Sequence, residues 1–281
     1  MTVRVVTDST ADLPPEVVQE LGITVIPMPV LFGEEVYRDG VDLSSEEFFE
    51  RLATSPALPT TSQPSVGVFL ETYRKLAAEG DEIVSIHITA RGSGTCESAL
   101  QASKSLGSST RIEIVDSESA SMGVGFQVIA AARAARAGAS LEELIATARS
   151  VCRRVHTVAL LETLEYLRRG GRIGRAQAFL GSVLNLKPLI TIRDGVVHPV
   201  ARVRTRARAL DQMFRYCMRV GDLEQVAILH GTTPEDAEML AKRVRERLPD
   251  VPIYVGRLGP ALGVHGGPGI IGMVIVEAEK A

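Results

Sequence analysis

The chain has 281 residues, a formal net charge of −3 and 45% hydrophobic residues, enough for one large domain or two ordinary ones with a sizeable core in either case. Its basic residues form no long block, which argues against broad nucleic-acid binding, and with 4% aromatics and no Trp the interior is aliphatic rather than a base-stacking platform. Cys96, Cys152 and Cys217 are odd in number and far apart, with no CxxC and no His at metal-ligand spacing, so they read as free thiols of a reducing cytoplasm and no metal site is expected. Met1-Thr2-Val3-Arg4-Val5-Val6 has no signal-peptide core and no stretch reaches the length of a membrane span, so the expected location is cytoplasmic.

Val3 to Thr7 is a short β-branched strand that ends in Asp8-Ser9-Thr10, and Pro14 marks the first turn of a helix. Ile23 to Phe32 is apolar but holds Pro27 and Pro29, which suits a sheet edge or an extended cover. Ser44 with Glu47 makes a capping box for a helix over 46–52. The loop 55–65 contains Thr60-Thr61-Ser62-Gln63-Pro64-Ser65, with Ser65 placed to cap a helix over 66–78. A strand over 82–89 then runs into Arg91-Gly92-Ser93-Gly94-Thr95, where Thr95 is placed to cap a helix over 96–105. Strand 111–115 and helix 119–137 follow, and this alternation predicts a parallel sheet with right-handed crossovers. Two hydroxyl-rich loops that open helices on one sheet edge offer N–H groups and positive dipole ends to an oxyanion; simple caps and tight turns are the competing reading. Asp8-Ser9 and Asp116-Ser117 close their strands alike, either as caps or as donors behind a ligand. Gly123 and Gly125 cost a helix about 1 kcal/mol each relative to Ala, which points to close approach of backbone or ligand.

Ser140 with Glu143 opens a further helix, and a hinge is expected near 150–157, where the pattern changes style. Strand 157–162, helix 163–169, Gly170-Gly171 and a helix over about 174–184 come next. Asp194-Gly195 between alternating apolar runs predicts a hairpin, which a parallel sheet would not contain. Helix 206–219, strand 225–229, helix 234–247 with Thr233 as cap, and strands 252–256 and 270–276 complete the chain. The fold class is therefore α/β: a Rossmann-like α/β/α domain with a parallel sheet over 1–155, then an α+β domain with a mainly antiparallel sheet over 156–281, and a ligand between them.

Gly259 to Gly269 reads as a glycine-dense loop around His265, the best chemical candidate among five histidines; His87, inside a strand, reads as satisfied or superficial. Arg168, Arg169 and Arg172, with Arg202, Arg204, Arg206 and Arg208, form the one strong basic feature. It is either a solvated surface or a docking patch for a protein partner or phosphate, with Arg202 and Arg204 on the same strand face. There is no GxxxxGK[ST], and Gly92-Ser93-Gly94 does not continue into GxGxxG because Glu97 stands at the last glycine. Ser93, Asp116 and His265 occur in the order used by serine hydrolases on α/β sheets, although the surround is not GxSxG.

Asp8-Ser9-Thr10, Thr61-Ser62-Gln63-Pro64-Ser65, Ser93-Gly94-Thr95, Val115-Asp116-Ser117, Leu164-Glu165-Tyr166-Leu167 with Gly170-Gly171-Arg172-Ile173-Gly174, Leu184-Asn185-Leu186-Lys187-Pro188 and His265-Gly266-Gly267-Pro268-Gly269 together resemble the DegV family, in family order and over nearly the whole chain. The resemblance implies a two-domain protein that holds a long-chain fatty acid in a tunnel between its domains. It implies no catalytic residues and no cofactor beyond that lipid, and a role as acyl-binding subunit for a separate ATP-binding kinase subunit that makes acyl phosphate for phospholipid synthesis. By the same resemblance Thr61 and Ser93 bind the carboxylate with His265 and Ser62 close by, Gly94, Thr95 and Gly266 line the site, and Arg172, Arg202 and Arg204 meet the kinase. Gly92 and Cys96 depart from the family's usual Leu and aromatic, which alters the tunnel mouth.

Burying about fifteen chain carbons at ~0.8 kcal/mol each contributes roughly 12 kcal/mol before association costs, so the tail supplies affinity and the head needs only a few hydrogen bonds. The alternatives are a serine hydrolase or acyltransferase using Ser93, and a carrier of another small carboxylate or phosphate.

Overall fold

The computed structural model describes residues 3–78, 82–107, 110–180 and 186–279. In chain order its first part comprises β1 (Val3–Asp8), α1 (Pro15–Leu21), β2 (Thr24–Ile26), β3 (Pro29–Phe32), β4 (Glu35–Arg38), α2 (Ser45–Thr54) and β5 (Thr60–Thr61). There follow α3 (Val66–Ala77), β6 (Glu82–His87), α4 (Thr95–Leu106), β7 (Ile112–Asp116), α5 (Met122–Arg136) and α6 (Leu141–Arg154). Four strands pair in parallel in the order β2-β1-β6-β7. Side chains alternate across this sheet. Val3, Val5, Val84 and Ile86 pack under α5 and α6, while Val6 and Ile83 face Phe69 and Tyr73 of α3 and Ala99 and Ala102 of α4. Both capping boxes, Ser44 with Glu47 and Ser140 with Glu143, are formed, and Ser65 caps α3 through the Val68 N–H.

The second part comprises β8 (Val155–Leu160), α7 (Glu165–Arg169), a 3-10 turn (Gly174–Phe179), β9 (Lys187–Arg193), β10 (Val196–Val203) and α8 (Arg206–Cys217). It ends with β11 (Leu223–His230), α9 (Pro234–Arg247), β12 (Ile253–Arg257), α10 (Pro260–Gly266) and β13 (Ile271–Glu277). Its six strands run β10-β9-β8-β13-β11-β12, antiparallel except for the β11–β12 pair. Asp194 and Gly195, with φ of 49° and 72°, form the expected two-residue hairpin turn, whose handedness matches the strand twist.

Several elements differ from the sequence reading. The run 23–32 is not one cover strand: it splits into β2, at the edge of the parallel sheet, and β3, the centre of a separate three-stranded sheet ordered β4-β3-β5. Thr61 therefore sits in a short strand paired with Val30 rather than in a loop opening a helix. Thr95 is not a cap: Gly94 holds that place with no side-chain hydrogen bond, and Thr95 is the first helical residue, fully buried. Thr233 precedes α9 without capping it, because its hydroxyl accepts from Arg206 Nη2 at 2.8 Å. Where a hinge was expected, the last turn of α6 passes straight into β8 at Val155. The helix expected over 174–184 is a 3-10 turn as far as Phe179; the rest of that expectation, with Leu184 and Asn185 of the quoted motif, lies outside the described residues.

The largest correction concerns His265, which stands on α10 and not in a glycine loop. Glycine is a poor helix former, so composition pointed away from a helix. Tertiary contacts reverse that preference. Pro260 fits the first helical position, Asp12 and Asp39 accept from the Gly259 and Ala261 N–H groups at 2.9 and 3.3 Å, and a Cβ on Gly263 would lie 2.5 Å from the Phe48 ring.

Candidate functional site

The chain winds from β1 outward to β2 and from β6 outward to β7, so the parallel sheet reverses its winding between β1 and β6, the place where open α/β sheets bind ligands. Beyond the carboxyl ends of these strands, against the six-stranded sheet, lies a cavity of about 450 Å³. Thr10 after β1, and Thr89, Arg91 and Ser93 after β6, form one side of it. Its floor is strand surface, with Thr157 and Ala159 on β8, Ile190 and Ile192 on β9, and Gly272 and Val274 on β13. Leu262 of α10, Leu167 of α7 and Leu258 complete an aliphatic interior.

One end is polar. The structure brings Thr61, Ser62, Ser93, His265, Gly266 and Arg172 to the same cavity from four separate parts of the chain. Thr61 Oγ1 lies 2.9 Å from His265 Nε2, and the other ring nitrogen, Nδ1, is buried without a hydrogen-bond partner among the described residues. An orphaned lone pair costs less than an orphaned N–H, so the proton belongs on Nε2, which donates to Thr61. The Thr61 O–H is then free to donate to a ligand. Burial, reinforced by the Arg172 guanidinium, pushes the His265 pKa down to about 4, so the ring is neutral at neutral pH. Gly170 makes the close approach possible, because a Cβ there would overlap the imidazole.

Ser93 Oγ lies 2.8 Å from Thr95 Oγ1 and accepts from the Thr95 N–H at 3.4 Å. Thr95 thus stands behind Ser93, with its hydroxyl also 3.7 Å from Met28 Sδ, and neither Thr95 nor Gly94 is among the described lining residues, contrary to their expected place. Arg172 reaches the mouth and is held there by its Nε–H donating to the Gly92 carbonyl at 3.0 Å and Nη1–H to that of Gly170 at 2.6 Å. Arg202 and Arg204 are exposed and do not line the cavity; Arg202 stacks on the Phe179 ring at 4.7 Å. The remaining basic cluster divides by partner. Arg168 and Arg169 pair with Glu165, and Arg206 with Glu162 and Asp236, whereas Arg172, Arg202, Arg204 and Arg208 have no carboxylate partner among the described residues.

The strand-end acids are structural. Asp8 caps the turn Ser9–Ala11 and accepts from the Ile88 N–H, and Asp116 accepts from the Ala90 and Glu118 N–H groups. Ser93, Asp116 and His265 consequently form no relay, since Asp116 is engaged elsewhere and His265 meets Thr61. A Ser-His-Asp chain does exist in Ser85, His87 and Asp8, with links of 2.7 and 2.9 Å, but all three are fully buried in the core and Tyr73 occupies the serine hydroxyl.

Gln63, Thr89 and Arg91 also line the site and were missed, although each lies inside or beside a loop already singled out. The floor was missed for a different reason: only strand pairing reveals which alternate residues of β8, β9 and β13 share a face.

Comparison with known proteins agrees with this architecture. The family model described as "Uncharacterised protein, DegV family" matches residues 2–278. A DegV domain-containing protein of Halalkalibacterium halodurans is 37% identical over 280 residues, covering 96% of this chain and 97% of the relative. The structure reported as fatty acid binding of a DegV family protein from Thermus thermophilus superposes with a TM-score of 0.91 at 34% identity, covering 99% of this chain and 100% of that one. DegV of Bacillus subtilis, described as a fatty acid binding protein, gives 0.90 at 31% identity with 99% and 100% covered. Matched along nearly its whole length in both sequence and fold, the chain belongs to the DegV family.

Proposed function

We propose that the protein binds one long-chain fatty acid, its tail in the interdomain cavity and its carboxylate at Thr61 and Ser93. The observation that carries this reading is an aliphatic cavity of about 450 Å³ with neutral hydroxyl donors gathered at one end. An apolar cavity of ~150 Å³ takes a benzene ring, so three times that volume takes roughly eighteen carbons, the size of a common acyl chain. The fatty acid binding reported for the two solved relatives points the same way.

The head group needs donors that leave it reactive. Neutral hydroxyls, with a neutral imidazole holding Thr61 in place, satisfy a carboxylate without the desolvation cost of a buried ion pair. Such a site orients the carboxylate without supplying a nucleophile, which suits a non-catalytic subunit that presents the acid to a separate ATP-dependent kinase in the cytoplasm. Arg172, Arg202 and Arg204, exposed and lacking acidic partners among the described residues, are the surface we assign to that kinase.

Denaturing mass spectrometry of the protein purified from bacteria should release about one acyl chain per protein molecule; recovery of a polar metabolite instead would sink the proposal. Replacing Thr61 and Ser93 together by Ala should weaken fatty acid binding by about a hundredfold or more, as expected for two lost hydrogen bonds to a charged group. Arg202→Ala should leave that affinity unchanged and slow kinase-coupled turnover.

A further inference from the structure

Gly272 occupies the middle of the six-stranded sheet, in β13, opposite Ala159 of β8 on one side and Leu229 of β11 on the other. A glycine in a central strand weakens it, because the residue has more backbone freedom to lose and no side chain to pack. Two common reasons for tolerating one are absent here. The residue is not among the positive-φ glycines, and a Cβ built on it would meet no atom within 4 Å among the described residues. The buried glycines of α10 behave otherwise: a Cβ on Gly263 would press on Phe48 and one on Gly266 on Ile270.

The space over Gly272 is the cavity itself. Gly272 is half-buried while Ile271 and Met273 on either side of it are buried, and it shares the cavity floor with its cross-strand neighbour Ala159. Two small residues side by side leave a hollow in a surface otherwise built of the larger side chains of Thr157, Ile190, Ile192 and Val274. A straight saturated chain has uniform width and would leave such a hollow unfilled, with the loss of contact that any dry void brings. A chain with a cis bend is deflected sideways and can fill it.

Building on the fatty acid reading above, we infer that Gly272 is a specificity-determining residue, which with Ala159 shapes the floor to admit a bent, cis-unsaturated acyl chain. Extended backbone accepts Ala or Val at this position, so Gly272→Ala and Gly272→Val fill the hollow in steps without straining the strand.

The test measures the affinities of delipidated wild type, Gly272→Ala and Gly272→Val for stearate and for the cis-monounsaturated chain of equal length. Ligand-free melting serves as the control for folding. The expected result is a graded loss, reaching tenfold or more for the cis chain in Gly272→Val and threefold or less for stearate, at a melting temperature equal to or above that of wild type. A ratio of the two affinities that stays within twofold of wild type across the series overturns the inference while leaving fatty acid binding intact. Should Gly272→Val fail to fold, the same criterion applies to Gly272→Ala with a threefold change in ratio. Wild type that takes up neither chain overturns the fatty acid reading, and this inference with it.

Discussion

The two faces of the six-stranded sheet are built from the same strands and have opposite characters. On one face Leu160, Leu189, Val226, Ile228, Ile271 and Ile275 meet Leu210 and Met213 of α8 and Leu240 and Val244 of α9, all almost wholly buried. On the other, Phe126 and Ile129 of α5 pack against Val274, Val276 and Leu229, but over Thr157, Ala159 and Gly272 the contact gives way to the cavity. The difference lies in side-chain volume. The closed face carries a branched or long side chain at these positions and reaches the density of a protein interior, whereas small residues on the open face keep the opposing half of the molecule away. An unfilled apolar void costs stability, so the open face makes sense as a surface completed by a ligand.

Breaking the closed face should have the largest effect. Ile228→Ala, in the centre of that core, is expected to lower unfolding free energy by about 2–5 kcal/mol in urea titrations, whether or not lipid is present. A smaller loss would mean that this face is not the rigid one. The cavity face should show the reverse balance. Ile192→Ala already borders empty space, so it should cost under ~2 kcal/mol in the ligand-free protein. Fatty acid at a hundredfold excess over its Kd should stabilise wild type and Ile228→Ala alike by ~2.7 kcal/mol, and Ile192→Ala measurably less. Equal ligand stabilisation in all three would remove Ile192 from the binding surface.

A pH-dependent effect sharpens how the open face is held together. Asp12 accepts from Ser121 Oγ at 2.6 Å and from the Gly259 N–H ahead of α10, and burial, with Asp39 and Asp8 nearby, pushes its pKa from 3.8 up to about 8. The folded protein therefore retains a proton that the unfolded chain has released. The stability attached to it is complete below about pH 4 and is lost as the pH rises through about 8. Asp12→Asn never ionises, so its stability relative to wild type should rise by roughly 2–3 kcal/mol between pH 6 and pH 9, read from melting temperatures. A flat difference would show that the carboxylate is well solvated at this junction. Asp39, pushed up to about 6, titrates in both proteins and largely cancels in the comparison.

Much of the frame was legible from short-range signals. Ser44, Ser65 and Ser140 mark helix starts because a hydroxyl three residues ahead of a free N–H can cap it through a purely local contact, and Asp194-Gly195 dictates its turn through backbone preference alone. Thr95 and Thr233 follow the same sequence rule and fail it, one drawn into the interior beside Met28 and the other engaged by Arg206. The helix that carries His265 was hidden because the carboxylates holding its N-terminus lie more than two hundred residues away.

The sequence by itself determined the alternation of the parallel-sheet strands with their helices, the antiparallel hairpin, and the residue types of the polar end, since all of these depend on neighbours along the chain. Only the tertiary structure decided that Thr61 and His265 meet, that Asp116 stays out of the site, and that Gly272 and Ala159 share a floor. Those outcomes depend on which strands pair and how volumes fill the space between two sheets, and a cavity is the space that no residue fills.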